Sequence, residues 1–341
     1  MIGFCLAAGS GSRLAPLTAT VPKPLLAPAG RPLLDLACDA LVKAGAERVV
    51  VNLHHGAEAI AAHLHGRPDV LALGEPTLLG TGGGLVAARR AGLLGPGGPG
   101  GGRDPGGPGG GGPAGDGPGG DPIVVVTCAD HVVDPADLAM LAAALERSGA
   151  PMAIGLDCGR LRPTFRLEGE LAVADPDGEW MAAGVFALRP GVLDDAPAGY
   201  STMVDSLLEP CWRRGELIGV PLRGDWADAG TLGRFLAVSA GLLAGRWPYP
   251  LPPGTLQRDA RGGPVFVAAG ARLHPRAIVA GPLVLDGGAS VGPSAVVARS
   301  VLGPGARVGA GARVTGSLLG PGAEVAAGEV AVAASLPAGI G

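Results

Sequence analysis

The sequence predicts an α/β domain with a mostly parallel sheet, followed by a parallel β-helix. Two patterns along the 341 residues indicate this architecture. In the first half, short apolar runs that are typical of buried strands alternate with segments of helical spacing. After residue 264, an aliphatic residue recurs about every six positions, as in a β-helix where each hexad forms one side of a coil.

The strands of the first half are apolar along their whole length, which indicates a sheet covered by helices on both faces. The predicted strands are 2–8, 47–53 and 123–127, and the predicted helices are 33–44, 57–65 and 84–94. This alternation predicts a Rossmann-like sheet, mostly parallel and sandwiched by helices. Ligands of such sheets bind beyond the carboxyl ends of the strands.

The hexad pattern of the second half fits neither a helix nor a flat strand. Its aliphatic positions are Val267, Leu273, Val279, Leu285, Val291, Val297, Leu302, Val308, Val314, Leu319 and Val325. Two steps of five residues, after Val297 and after Val314, interrupt the period. The alternative interpretation is a disordered tail rich in Gly and Ala.

Charge and cysteine usage exclude several classes of protein. A net charge of −4 leaves no basic surface for nucleic acid and no polybasic membrane patch. The five cysteines are scattered without a CxxC pair, which favours reduced thiols over a disulfide framework or a zinc site. The sequence has neither a signal-peptide pattern nor an apolar run of membrane-spanning length. We therefore expect a cytoplasmic protein that binds neither membrane nor nucleic acid.

Glycine and proline account for 95 of the 341 residues, and much of this excess is local. Between Gly95 and Gly120, 22 of 26 residues are Gly or Pro. This segment therefore has too few apolar side chains to form a core. This composition predicts a disordered insertion at 95–120 in a surface loop. The predicted domains are 1–245, a linker at 246–264, and the β-helix at 265–341.

The strongest motif is LAAGSGSRL at residues 6–14, followed by PLT at 16–18 and PKPL at 22–25. Glycines at 9 and 11 allow backbone N–H groups to approach phosphates closely. Arg13 offers a planar set of donors for phosphate oxygens, and Lys23 offers a point charge between two prolines. A bare glycine turn is the structural alternative. The motif is not a P-loop, because no GK[ST] follows it.

The segment from Leu6 to Leu26 resembles the signature of the sugar-phosphate nucleotidyltransferases, a family that includes GDP-mannose, UDP-sugar, dTDP-glucose and ADP-glucose pyrophosphorylases. The resemblance implies nucleotide binding at the following residues: Leu6, Ala7, Ala8, Gly9, Gly11, Glu75, Gly80 and Thr81. The last two belong to GTGG, which looks like the family's nucleobase loop. The resemblance also implies that the C-terminal β-helix is left-handed.

The same resemblance suggests catalytic and metal-binding residues. Asp130, which ends IVVVTCAD, and Asp228, in WADAGT, match the positions of two magnesium ligands. Carboxylates suit Mg²⁺, which prefers hard oxygen ligands. By resemblance, Arg13 holds the β- and γ-phosphates and Lys23 the α-phosphate region. Asp225 is a competing candidate for the second ligand, and either aspartate could instead be a loop or cap residue.

The sequence departs from the family pattern in two places. Ala129 replaces the Gly that usually precedes the first metal aspartate, and no Glu-Lys-Pro segment is present to bind the sugar phosphate. Arg166 is the nearest replacement and resembles a shorter branch that includes N-acetylmuramate 1-phosphate uridylyltransferases. Gly184 matches the family's sugar-contacting turn. A solvated strand face for Arg166 and an ordinary turn for Gly184 are the structural alternatives.

These features predict an enzyme that makes an NDP-sugar and pyrophosphate from an NTP and a sugar 1-phosphate, with Mg²⁺ as cofactor. The first candidates are a mannose-1-phosphate guanylyltransferase and a uridylyltransferase. The alternative is a non-catalytic subunit that senses sugar nucleotides, which the missing Glu-Lys-Pro segment leaves open. Acyl transfer by the β-helix is a distant third, because His274 has no second histidine near it. The apolar end of a β-helix also predicts a homo-oligomer.

Overall fold

The protein is described by a computed structural model that covers residues 1–96, 121–158 and 164–337. The predicted glycine- and proline-rich insertion at 95–120 lies outside these ranges, apart from residues 95 and 96. Within the described ranges, no helix has both the length and the apolar character needed to cross a membrane.

The first half contains six α-helices and eleven strands in its described part. The helices are α1 (Leu33–Lys43), α2 (Ala57–Leu64), α3 (Gly80–Arg90), α4 (Pro135–Ser148), α5 (Glu209–Arg213) and α6 (Leu232–Leu243). The strands are β1 (Ile2–Leu6), β2 (Arg48–Leu53), β3 (Val70–Gly74), β4 (Val124–Cys128), β5 (His131–Val133), β6 (Met152–Cys158), β7 (Phe165–Glu168), β8 (Leu171–Ala174), β9 (Trp180–Leu188), β10 (Leu217–Pro221) and β11 (Trp226–Asp228). A π-helical turn at Val204–Leu208 leads directly into α5.

Nine of these strands form one mixed sheet in the order β3-β2-β1-β4-β9-β6-β10-β8-β7. The part from β3 to β4 is parallel, as predicted, and β1 pairs with β4 so that Leu6 lies opposite Cys128. The carboxyl ends of β1 and β4 therefore meet at the same edge. Asp130 follows there, as does the predicted phosphate-binding motif at residues 6–25, which we call the phosphate loop. The part from β9 to β7 contains mainly antiparallel pairs. The α/β class and the parallel-rich sheet are confirmed.

Helices cover the sheet on both faces, and successive strand residues alternate between two hydrophobic clusters. Phe4 packs in the cluster that contains residues of α3 and α5, whereas Cys5 packs in the cluster formed with α1, α4 and α6. Val49 and Val51 join the second cluster and Val50 the first. This alternation is the two-residue period of a strand whose faces are both buried.

The first half differs from the sequence prediction at β3 and at α3, and its elements after residue 127 were not assigned from the sequence. The strand β3 was not predicted, although its residues VLALG are apolar; none of them is fully buried. Helix α3 begins at Gly80 rather than near residue 84, so the predicted nucleobase loop forms the first turn of a helix. Glycine disfavours helix formation, and this early start depends on tertiary contacts that are described below.

The second half consists of short strands. They are β12 (Gly254–Arg258), β13 (Pro264–Ala268), β14 (Arg272–Leu273), β15 (Ile278–Ala280), β16 (Leu283–Leu285), β17 (Ser290–Val291), β18 (Val296–Ala298), β19 (Val301–Leu302), β20 (Arg307–Val308), β21 (Arg313–Thr315), β22 (Leu318–Leu319), β23 (Glu324–Val325), β24 (Val330–Val332) and β25 (Ser335–Leu336). Strand β12 lies in the predicted linker and pairs antiparallel with β13. We call residues 264–336 the repeat region.

From β13 onwards, each strand of the repeat region pairs in parallel with the strand three places later, which produces three stacked sheets. The register places Val267 beside Leu285, and Leu285 beside Leu302. Every aliphatic position of the predicted hexad series lies in one of these strands, and those from Leu285 to Val325 are buried between the sheets. This pairing is compatible with the predicted parallel β-helix, whose left hand stays a prediction.

One sheet of the repeat region also packs against the first half. Phe266, Val284, Val301 and Leu318 belong to the same hydrophobic cluster as α1 and α6, although their neighbours in sequence point into the repeat region. A Cβ at Gly320 would lie 2.4 Å from Cδ1 of Leu17, so the two halves are in close contact there. Leu17 belongs to the phosphate loop, so this contact joins the repeat region to the loop itself.

Candidate active site

The predicted phosphate loop follows β1 and turns back on itself through three short 3₁₀ segments between Ser12 and Leu25. Gly11 has a φ of +65°, which favours glycine, and a Cβ there would lie 2.8 Å from Cβ of Lys23. A Cβ at Gly9 would meet no atom within 4 Å, so the space above this residue is open. The loop thus presents a bare backbone to the solvent side of the sheet edge.

Lys23 and Asp130 form an ion pair at this edge. Lys23 is 8% exposed, and its Nζ donates to Oδ2 of Asp130. The backbone N–H of Ala129 donates to the carbonyl of Leu6 at 2.9 Å, which fixes the residue before the aspartate against the end of β1. A buried cation is thereby held next to a carboxylate at the mouth of the phosphate loop.

Asp228 reaches the same place through a small two-stranded sheet. Strand β11 pairs antiparallel with β5, so Asp228 lies opposite His131, the residue after Asp130. The N–H of Ala229 donates to the carbonyl of Asp130 at 2.8 Å. Asp225, the competing candidate, precedes β11 and is exposed. The structure therefore brings Asp130 and Asp228 together, although they are 98 residues apart in the sequence. Asp225 lies at the other end of β11.

Two arginines approach Asp228. Arg234, in the first turn of α6, donates through Nη1 to Oδ2 of Asp228, while Oδ1 accepts the N–H of Gly230 at 2.8 Å. A Cβ at Gly230 would lie 2.6 Å from Nη2 of Arg13 and 2.7 Å from Oδ1 of Asp228, so the side chain of Arg13 extends over this glycine. Three cationic side chains, those of Lys23, Arg13 and Arg234, thus surround the two carboxylates.

A buried hydrogen-bond chain connects the phosphate loop to the predicted nucleobase segment. The N–H of Ala7 donates to Oδ1 of Asn52 at 2.9 Å, and Nδ2 of Asn52 donates to Oε1 of Glu75 at 2.7 Å. The other carboxylate oxygen of Glu75 accepts the N–H of Leu79 at 3.1 Å. Glu75 is only 5% exposed, so it lies behind the binding surface. Through these hydrogen bonds it holds the phosphate loop and the predicted nucleobase segment at a fixed distance from each other.

The predicted nucleobase residues also hold a second segment in place. The N–H groups of Gly82 and Gly83 donate to the carbonyl of Ser201, and Oγ1 of Thr81 accepts the N–H of Met203 at 2.7 Å. A Cβ at Gly83 would lie 2.1 Å from the carbonyl oxygen of Gly199. The glycines of GTGG are therefore required for the close approach of the segment at 199–203. This contact also explains why α3 begins at Gly80.

These elements enclose a cavity of about 400 Å³. It is lined by Leu6, Ala7, Ala8, Gly9, Gly11, Ser12, Arg13, Lys23, Pro24, Asn52, Leu78, Gly80, Thr81, Cys128, Ala129, Asp130, Tyr200 and Thr202. Charged side chains line one end, around Arg13, Lys23 and Asp130. The other end, around Leu78 and Tyr200, carries none. Such a cavity suits an elongated ligand with an anionic end and an uncharged end.

The predicted sugar-phosphate residues lie away from this lining. Arg166 is exposed on β7 and pairs with Glu168 and with Asp175, whose Oδ2 lies 3.1 Å from its Nε. Gly184 lies at a register shift between β6 and β9, with a φ of +68°. A Cβ there would lie 2.4 Å from Cε1 of His131, so Gly184 makes room for the imidazole beside the carboxylates.

Burial and nearby charges shift the pKa values of Asp130, His131 and Cys128. Burial of Asp130 opposes its ionisation, but attraction to His131 and Lys23 outweighs it, so the pKa of this carboxyl lies below its ordinary value. Burial lowers the pKa of His131, and the nearby carboxylates only partly offset this effect. Burial also raises the pKa of the Cys128 thiol. At neutral pH the site therefore holds an ionised Asp130 beside a neutral Cys128 thiol.

The donors at this site fit a hard divalent cation. Asp130 and Asp228 have side chains that are 20% and 17% exposed, and each has one oxygen paired with a cationic side chain. Asp130 also belongs to a group with Cys128 and His131 whose ligand atoms lie within 4.8 Å of one another. The carboxylates of Asp130, in the turn before β5, and of Asp228, at the end of β11, match the preference of Mg²⁺, which binds one or two carboxylates together with substrate phosphates.

Several residues of the site were not predicted from the sequence. Asn52 lies near the end of the apolar strand β2 and showed no motif, although a buried polar residue at a strand end is a signal in itself. Asp137 is 2% exposed and accepts the N–H groups of Arg223 and Gly224, both at 2.9 Å, which holds the loop before β11. Tyr200 is far from the other motifs in sequence, and no local pattern marks it.

Comparison with known proteins confirms the resemblance that the motifs predict. Residues 2–89 match the family described as nucleotidyl transferase. The mannose-1-phosphate guanylyltransferase of Mycobacterium tuberculosis is 28% identical over 308 residues, which cover 87% of this chain and 78% of that protein.

Other relatives match shorter parts of the chain. The N-acetylmuramate alpha-1-phosphate uridylyltransferase of Caulobacter vibrioides is 42% identical over 103 residues, which cover 28% of this chain and 42% of that protein. A mannose-1-phosphate guanylyltransferase catalytic subunit beta of Danio rerio is 36% identical over 94 residues, 26% of each chain. The chain thus spans less than half the length of these two relatives.

Proposed function

We propose that this chain belongs to the nucleotidyl transferase family, that it joins a nucleoside monophosphate unit to a sugar 1-phosphate, and that it releases pyrophosphate. The cavity is the observation that carries the proposal. It places the bare backbone of the phosphate loop, the cations Arg13 and Lys23, and the segment around Gly80 on one continuous surface. An NTP has the matching distribution of charge, with phosphates at one end and an uncharged base at the other.

The reaction requires little covalent chemistry from the protein. An oxygen of the sugar 1-phosphate attacks the α-phosphorus, the bond to the bridging oxygen breaks, and pyrophosphate leaves with that oxygen. Catalysis then depends on holding the reactants in line and on neutralising the charge of the phosphates. Lys23 and Arg13 supply positive charge from positions fixed by the loop. The backbone at Gly9 leaves room for a phosphate.

Magnesium is the cofactor that the donor set favours, with Asp130 and Asp228 as its protein ligands. When bound, it would neutralise phosphate charge and help to hold the reacting groups in line. Lys23 and Arg234, which pair with these carboxylates, would then be available to the phosphates. Titration of Mg²⁺ into the purified chain, with the release of pyrophosphate as readout, tests this assignment.

GTP with mannose 1-phosphate is the first pair of substrates to test, since the relative that matches most of this chain bears the name mannose-1-phosphate guanylyltransferase. UTP with an amino-sugar 1-phosphate such as N-acetylmuramate 1-phosphate is the second, since a relative named for that reaction is 42% identical over a shorter stretch of the chain. Arg166 and Gly184 are the proposed contacts to the sugar phosphate. Arg166 would have to exchange its carboxylate partners for the phosphate.

The decisive experiment is a pyrophosphate-release screen of five NTPs against a panel of sugar 1-phosphates. We expect one NTP and one sugar 1-phosphate to give turnover well above the rate with either substrate alone. The non-catalytic alternative predicts a different result, in which sugar nucleotides bind in calorimetry but no pair gives pyrophosphate. That outcome would overturn the proposed reaction and leave a sensor of sugar nucleotides.

A homo-oligomer formed through the repeat region is the proposed assembly. Val330 and Val332 are each more than 60% exposed and lie on β24, the last strand of one sheet of the repeat region. An exposed apolar surface on a sheet favours contact with another chain. Light scattering of the full chain and of Val332→Asp tests this idea. A monomer in both cases would contradict it.

A further inference from the structure

Tyr200 differs from every other aromatic residue of the chain in its exposure. The sequence contains five Phe, four Trp and two Tyr residues, all at described positions. Ten of them are buried or half-buried, whereas Tyr200 is 69% exposed. A large exposed ring at a concave surface is an unusual feature that calls for a ligand or a partner.

The position of Tyr200 indicates which ligand. Its side chain lines the cavity at the end without charges, together with Leu78, which is 44% exposed. Cε2 of the ring lies 3.2 Å from the position that a Cβ would take at Gly80. The ring therefore lies beside the first turn of α3, at the opposite end of the cavity from Arg13 and Lys23.

The backbone under Tyr200 is fixed on both sides. The N–H of Ser201 donates to the carbonyl of Leu79 at 2.9 Å, and the carbonyl of Ser201 accepts the N–H groups of Gly82 and Gly83. Thr202 caps the following turn, because its Oγ1 accepts the N–H of Asp205 at 3.1 Å. The ring is thus attached to an anchored segment and has only two side-chain torsions, so little entropy is lost when it contacts a ligand.

We propose that Tyr200 binds the nucleobase of the NTP by stacking its ring on the base, with Leu78 contributing apolar contact at the same end. This inference rests on the proposed function, since it needs an NTP whose phosphates lie at the charged end. Every base has a π face, so stacking strengthens the binding of any nucleotide and does not choose between bases. Selection between bases then falls to polar groups elsewhere in the cavity.

The GTGG motif then has a second purpose, which is to position the ring of Tyr200. The N–H groups of Gly82 and Gly83 are used by the carbonyl of Ser201, so these two glycines position Tyr200. The motif therefore acts on the base partly through the aromatic ring that it docks. A Cβ at Gly83 would clash with the carbonyl oxygen of Gly199 and displace the segment that carries the ring.

Calorimetry with three phosphate ligands separates stacking from other roles of Tyr200. Full-length wild type and the variants Tyr200→Ala, Tyr200→Phe and Val204→Ala are titrated with Mg²⁺ and the NTP that wild type binds most tightly of the five common ones. They are also titrated with a second NTP and with inorganic tripolyphosphate, which has the same phosphates and no base. Val204 is a matched control, because it is an exposed apolar residue four positions away and outside the cavity lining.

Tyr200→Ala should weaken the binding of both NTPs by roughly 10-fold or more and by similar factors, as expected for loss of one base–aromatic stack. Tripolyphosphate binding should stay unchanged. Tyr200→Phe and Val204→Ala should resemble wild type with all three ligands. In kinetics the alanine variant should raise KM for the NTP far more than it lowers kcat.

Three results would overturn the inference. Unchanged NTP binding in Tyr200→Ala would show that the ring does not touch the base. An equal loss of tripolyphosphate binding would show that Tyr200 only shapes the loop. If wild type bound no NTP at all, both this inference and the proposed function would fall, whereas the first two results leave the proposed function intact.

Discussion

The two halves of the molecule bury different kinds of side chain. The buried polar residues of the first half are Thr18, Lys23, Asn52, Glu75, Thr127, His131, Asp137 and Ser239, and those of the repeat region are Asp286, Ser300 and Ser317. In the first half, most of these residues surround the cavity or support the loops that form it. In the repeat region, Ser300 and Ser317 bind the backbone of their own coils, with Ser300 Oγ donating to the carbonyl of Ala298 at 2.7 Å.

This difference shows where the chemistry lies. Burying a charged group is unfavourable unless a partner compensates it, so a cluster of buried charges persists where function requires it. The pair of Lys23 and Asp130 has no counterpart in the described part of the repeat region, whose interior is aliphatic. The repeat region instead packs against the cluster behind the phosphate loop. We therefore expect the repeat region to contribute to the reaction only by supporting that loop, and the following predictions test this division.

The largest effect is expected from the two carboxylates. Asp130→Asn and Asp228→Asn should each lower turnover on the order of 10³-fold, because the phosphate charge would lose the neutralisation that the proposed Mg²⁺ supplies. Asp225→Asn is the matched control, since Asp225 is exposed and three residues from Asp228. Pyrophosphate release at limiting Mg²⁺ measures the effect, and thermal melting checks that each variant folds. An inactive Asp225→Asn beside an active Asp228→Asn would reverse the assignment of the second ligand.

The next largest effect is expected from the cationic side chains of the cavity. Lys23→Ala and Arg13→Ala should each reduce kcat/KM on the order of 10²–10³-fold, as for loss of one preorganised charge-stabilising group. Lys43→Ala serves as control, because Lys43 is exposed and its Nζ donates only to the carbonyl of Pro248, at 3.3 Å. Steady-state kinetics with the best substrate pair measures all three variants. Normal kinetics in both cavity variants would reduce the motif to a structural turn.

Substitutions at two neighbouring leucines test the contact between the two halves of the molecule. Leu318 packs in the cluster shared with the first half, whereas Leu319 points into the repeat region. Each Leu→Ala change should lower the free energy of unfolding by about 2–5 kcal/mol. Only Leu318→Ala should also weaken NTP binding, because its cluster includes Leu17 of the phosphate loop. Denaturant unfolding and calorimetry of both variants decide the point. Equal effects on binding would mean that the repeat region acts as a whole.

The strands of the repeat region were predictable from sequence because their pattern is local. Each coil repeats the same requirement for an inward aliphatic residue, so Val291, Val308 and Val325 mark successive strands of one sheet without any long-range information. The phosphate loop was predictable for a similar reason, since its glycines and cations lie within 20 residues. Its resemblance to a known family then supplied the roles that spacing alone leaves open.

The rest of the site depends on contacts between distant parts of the chain. The pairing of His131 with Asp228 and the docking of Ser201 on Gly82 join segments about 100 residues apart or more. No local pattern records such pairings, and the early start of α3 at Gly80 even runs against the low helix propensity of glycine. Asn52 and Tyr200 were missed for this reason, because each becomes part of the site only through its tertiary neighbours.

The smallest effect is expected from charges on the outside of the repeat region. Arg307 lies exposed on β20, where its register partners are Ser290 and Glu324. Arg307→Ala should change the free energy of unfolding by no more than about 0.5 kcal/mol, because an exposed arginine outside a specific network contributes little. It should leave kcat/KM unchanged, whereas the same substitution at Arg13 should abolish most activity. The two variants are compared in one assay at equal ionic strength, so that general charge effects cancel. A loss of activity in Arg307→Ala would place a ligand or a neighbouring subunit on the outer face of the repeat region. The assignment of the chemistry to the first half and of support to the repeat region would then be wrong.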